Sequence, residues 1–140
     1  FFQAEDGIRD YKVTGVQDVC SSDLQWLHHP AGTVHALVDR EGICHGFGRI
    51  RPCLLRGGEG WRIGPLVADH SAAARALLEG LLQRHPGVVL IDGPGANPHV
   101  APLLEAVGFT SLSRTLRMYR GPAPKVSLAD VYGLACLELG

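Results

Sequence analysis

The chain has 140 residues, 46% of them hydrophobic and 19% charged, with a formal net charge of −1. That length suits one domain with a modest core, and the charge balance excludes a general nucleic-acid binder, which needs a basic surface. No apolar run reaches the ~18 residues of a membrane span, so none is expected, and reduced cytoplasmic thiols are the default setting.

Phe1 to Leu24 reads as translated sequencing-adapter read-through. The chain does not begin with Met and its only Met is Met118. The expectation is a non-native leader over 1–24, set aside from fold reasoning. The competing expectation is a genuine strand–turn–strand, since Tyr11 to Val16 could extend. Residues 25–140 then carry 11 basic and 9 acidic side chains, a net of +2. An N-terminally truncated domain is expected over 25–121, with a tail over 122–140 packing on it.

Thr33 to Val38 alternates and holds β-branched residues, so it reads as a strand. Asp39 to Gly42 supplies a turn, and Ile43 to Pro52 reads as the returning strand. Gly46 and Gly48 inside it mark a bulge or a close backbone approach. Arg56 to Gly60 is the next turn. It lacks the Gly-Lys-Ser/Thr and the following helix that a phosphate loop requires. Trp61 to Ala68 follows as a strand covered on both faces. Asp69 or Ser71 can cap a helix running to Arg84, whose Leu77, Leu78, Leu81 and Leu82 form a sheet-facing stripe.

Pro86-Gly87 ends that helix, and Val88 to Ile91 make a short buried strand. Asp92 to Ala96 is a tight loop lacking the third glycine of a dinucleotide fingerprint. Asn97 as N-cap and Pro98 at the first helical position open a helix to Val107. Gly108-Phe109 closes it, and a last strand is expected to Tyr119. Beyond the leader stand Cys44, Cys53 and Cys136. Their spacing suggests neither a disulfide framework nor zinc, since Cys44-His45 has no second ligand pair. Cys44 and Cys53 read as small buried hydrophobes.

Hairpins followed by strand–helix alternation define an α+β (mixed α/β) layer fold. Gly46-Phe-Gly-Arg-Ile-Arg-Pro52, Ile63-Gly-Pro-Leu-Val-Ala-Asp69, Asn97 to Phe109, Arg117 to Pro122 and Leu137 to Gly140 together resemble GNAT-type N-acetyltransferases. The resemblance is to the second domain of tandem members. It implies a central, mostly antiparallel sheet with helices packed on it, and a missing N-terminal GNAT domain as partner. It also implies acetyl-CoA as co-substrate and a small-molecule primary amine as acceptor, without nucleic acid or membrane.

In such a fold the pantetheine arm lies along a strand as an added strand would, here Ile63, Gly64, Pro65, Leu66 and Val67. The pyrophosphate sits at a helix start, here Ala73 and Ala74, and Asn97 joins these cofactor contacts. Asp92 and Glu138 are the expected bases, with Arg49, Arg51 or Arg62 holding an anionic substrate. Two departures stand out. In place of the glycine-bearing phosphate loop stand only Ala68-Asp-His-Ser-Ala-Ala-Ala-Arg-Ala76, and Leu104 falls where the Tyr that serves the family as acid would. Tyr119 reads as a sheet-edge aromatic. The alternative is therefore a degenerate GNAT-like domain that shapes the substrate pocket or supports a catalytic domain without binding CoA.

Overall fold

The computed structural model describes residues 8–10, 31–123, 125 and 127–135. The elements are β1 (Ile8–Asp10), β2 (Thr33–Val38), β3 (Cys44–Leu55), β4 (Gly58–Ala68), α1 (Ser71–Arg84), β5 (Val89–Ile91), α2 (Val100–Ala106) and β6 (Val131–Gly133). One sheet runs β1-β2-β3-β4-β5, with β6 also on β4. Every pairing is antiparallel except β4 with β5. The expected mostly antiparallel sheet with packed helices is the fold found. β1 lies within the segment set aside as a leader.

The β2–β3 turn is locked by its own aspartate. Asp39 Oδ1 accepts from the Glu41 and Ile43 backbone N–H groups at 2.9 and 2.8 Å, an Asx-type turn. Gly42 supplies the positive φ of +88°. In β3, a Cβ on Gly46 would meet Val67 O at 2.7 Å, and one on Gly48 would meet Leu66 Cδ1 at 2.8 Å. The β3–β4 register shifts between Gly48 and Ile50. Close approach and bulge both occur where these glycines implied them.

α1 turns Ala73, Ala74, Leu77, Leu78 and Leu81 onto Ile50, Ile63 and Leu66, and all of these are buried. Its N-cap is neither Asp69 nor Ser71 but His70, whose Nδ1 accepts from Ala73 N at 3.1 Å. At the other end His85 bonds Leu81 O (2.8 Å) and Thr33 Oγ1 (3.3 Å), and its ring meets Trp61 edge-on. That contact fastens the helix end to the start of β2.

Three further expectations are corrected. α2 begins at Val100, not Asn97, because Asn97 Oδ1 accepts from His99 N two residues on and holds 97–99 as a turn. Residues 109–119 form no strand, and Leu112, Leu116 and Met118 stand in solvent. No described strand pairs with this segment. Cys44 is exposed and Cys53 only half-buried, since both lie near the ends of β3, outside its covered centre.

Candidate functional site

The β4 edge expected to carry a cofactor is bordered by two strands in succession. β5 pairs with Trp61, Arg62 and Ile63. Beyond it, β6 pairs with Leu66 through Gly133 and with Val67 through Val131. Ala68 N donates to Asp130 O at 2.9 Å, and Leu134 N donates to Asp92 O at 2.8 Å. β6 is thus stitched to both walls of the gap between β4 and β5. The fit is close: a Cβ on Gly133 would meet Ile91 Cδ1 at 3.1 Å, and one on Gly64 would run into Leu134 O.

Asn97 belongs to this closure. Its side chain is 2% exposed, and Nδ2 donates to Ala129 O and Val131 O at 2.8 and 3.0 Å. An asparagine suits the position because one amide offers two donors and an acceptor. It ties the loop before α2 to the segment entering β6. Tyr132 is buried there, and burial pushes its phenol above the usual tyrosine range.

The expected phosphate contacts lie at the start of α1. Ala73 and Ala74 are buried against the sheet. The Ala73 N–H is taken by His70 Nδ1, and the Ala74 N–H by His70 O. Ile63 and Leu66 point into the main core, while Val67 packs with Ala36 and Phe47 on the second cluster.

Arg49 and Arg51 are two residues apart on β3, and Arg51 is paired with Arg62 on β4. Side-chain alternation therefore sets all three guanidiniums on one sheet face. Arg49 is 1% exposed and donates to Ala31 O at 2.7 Å. Burial, and then the Arg51 charge, lowers its pKa from the ordinary arginine value. Arg62 Nη1 donates to Asp92 Oδ2 at 2.6 Å. The structure thus brings Asp92 together with Arg62, and both with the backbone that anchors Leu134. Glu138 lies outside the described residues, as does Cys136. Leu104, at the position of the family's tyrosine, packs against the main core.

Sequence reasoning considered His45 only as a neighbour of Cys44. In the fold its Nε2 lies 3.0 Å from Asp39 Oδ2 and its Nδ1 3.0 Å from Asp69 Oδ2. The hydrogen bond to Asp39, then that to Asp69, raises the imidazole above its ordinary pKa. Asp39 is lowered, chiefly by the Ile43 N–H and then by His45. This clasp joins the β2–β3 turn to the residue before the α1 cap. No spacing motif announces it, because its three members are brought together only by the hairpin and by β4.

A mixed sheet with a bulged central β4 is followed by a helix packed on it, an α+β arrangement. Residues 24–133 match the acetyltransferase (GNAT) domain family, and the chain belongs to that family. A holothin acyltransferase from Pseudoalteromonas sp. (strain SANK 73390) is 29% identical over 147 residues, covering 98% of this chain and 50% of the relative. The chain therefore spans about half the length of the curated relative it matches. No solved structure matches it significantly. Among the described residues no helix is long and apolar enough to cross a membrane.

Proposed function

We propose that this chain is the supporting half of a longer GNAT acyltransferase. The parent moves an acetyl group from acetyl-CoA to a primary amine of a small-molecule acceptor in the cytoplasm. The co-substrate is held by a second GNAT domain, preceding this one in the same polypeptide. One observation carries the reading: β6 occupies the Leu66 and Val67 backbone along which a pantetheine arm would pair. An added strand needs free backbone groups on an open edge, and here the chain's own residues supply that strand.

The described residues do not fit the rest of the cofactor either. The Ala73 N–H is consumed by the His70 cap, Asp69 adds a carboxylate beside the helix start, and Asn97 is spent on Ala129 and Val131. No catalytic step is therefore assigned to this domain. Its relative's acyltransferase activity and twofold greater length support the division of labour.

The test is a two-dimensional amide NMR titration of the chain with acetyl-CoA. The expected spectrum is dispersed and shows no shifts at Ile63 to Ala74 up to millimolar ligand. Saturable shifts in that stretch would overturn the proposal. They would return the co-substrate to this domain, with Asp92 and Glu138 as the bases to mutate.

A further inference from the structure

Residues 109–119 have a strand's composition without a strand's partner. Phe109, Thr110, Thr115 and Tyr119 favour extended backbone, Leu112, Leu116 and Met118 fall on alternate positions, and no Gly or Pro interrupts them. Among the described residues the segment joins no ladder. Leu116 is 91% and Met118 89% exposed. An unpaired, apolar, extended segment is a template for pairing with another edge. Two such arms do not suit each other. Between Glu105 and Asp130 every charged residue is basic (Arg114, Arg117, Arg120 and Lys125), so arm-on-arm pairing sets like charges side by side.

The same chain presents an acceptor. β5 ends the main strand order and pairs only with β4 among the described residues, which leaves its outer edge unladdered. That edge is apolar: Val89, Leu90 and Ile91 are half-buried, and Val88 before them is 60% exposed. Donor and acceptor thus sit on one molecule without meeting within it.

We propose that residues 110–119 of one copy add as a strand to the β5 edge of a second copy, and reciprocally, closing a two-fold dimer. Exchange of identical elements makes a self-complementary interface in which each contact occurs twice, and backbone pairing supplies the affinity. This inference is independent of where acetyl-CoA binds.

Sedimentation equilibrium of the full chain over a concentration series tests it. The wild type is expected to dimerise. Leu116→Asp and Met118→Asp should each weaken the dimer at least ~10-fold from the donor side, and Val88→Asp equally from the acceptor side. All three side chains are solvent-exposed in the single copy, so circular dichroism should be unchanged. A chain that stays monomeric to hundreds of micromolar overturns the proposal. A dimer indifferent to the donor variants, or to Val88→Asp, overturns it as well.

Discussion

Asn97 shows how a residue's type can be right while its role is misread. Sequence reasoning saw an N-cap before Pro98, because asparagine favours caps and turns. The fold uses both its donors, on Ala129 and Val131, and its oxygen accepts the His99 N–H. Asn97→Ala should cost about 1–3 kcal/mol, since it removes the hydrogen bonds that a buried amide makes to Ala129, Val131 and His99; urea unfolding measures this, and an unchanged midpoint would deny the clamp. His45 illustrates the opposite case, a residue with no local signal whose role arises from two sequence-distant carboxylates. Its raised pKa means that its contribution is full below about pH 6.5 and is lost as pH rises through the folded value. Asp39, lowered, contributes above about pH 3.8 and loses this as pH falls through its folded value. The clasp is therefore complete from about pH 4 to about pH 6.5 and loosens above, a small effect because the cluster is exposed. NMR titration should place the His45 midpoint above 6.5, and Asp39→Asn should move it back down. A midpoint indifferent to Asp39→Asn would show that the bond does not persist in solution.

Elements with strong internal patterns were legible. β2 and α1 occupy the residues expected, because β-branched residues in one favour extended backbone and a leucine stripe in the other encodes which face is buried. Leu78→Ala should cost about 2–5 kcal/mol through the cavity it leaves. His70→Ala should cost about 1 kcal/mol as a lost cap. Thermal or urea unfolding ranks the two, and an equal cost would contradict the burial described. β6 was illegible: its three residues carry no period, and its place is decided by the gap between β4 and β5. The converse holds for 109–119, whose period is sound and whose pairing is not local. Strand pattern reports willingness to pair, whereas the partner is a property of the sheet. The cofactor contacts were carried by resemblance alone, so the sequence held no sign that β6 lies along Leu66 and Val67.

At the scale of the molecule, the stitching of β6 and the isolation of the 110–119 arm predict opposite dynamics. Hydrogen exchange of the single copy should show Ala68 and Leu134 protected almost as well as the core, because their N–H groups are bonded across the β4–β5 gap. Amides of the exposed arm should exchange close to unstructured rates. Fast exchange at Ala68 would mean that β6 opens on its own. The late position of β6 also bears on how the domain is made. During synthesis β4, α1 and β5 leave the ribosome well before Val131, so the sheet has an unfilled slot beside Leu66 and Val67 throughout that interval. Pairing across so long a chain separation is slow, and an open strand edge is where nascent chains misassociate. Completion of the described sheet thus waits on β6, and the growing chain is most exposed to chaperones and to aggregation just before that strand arrives.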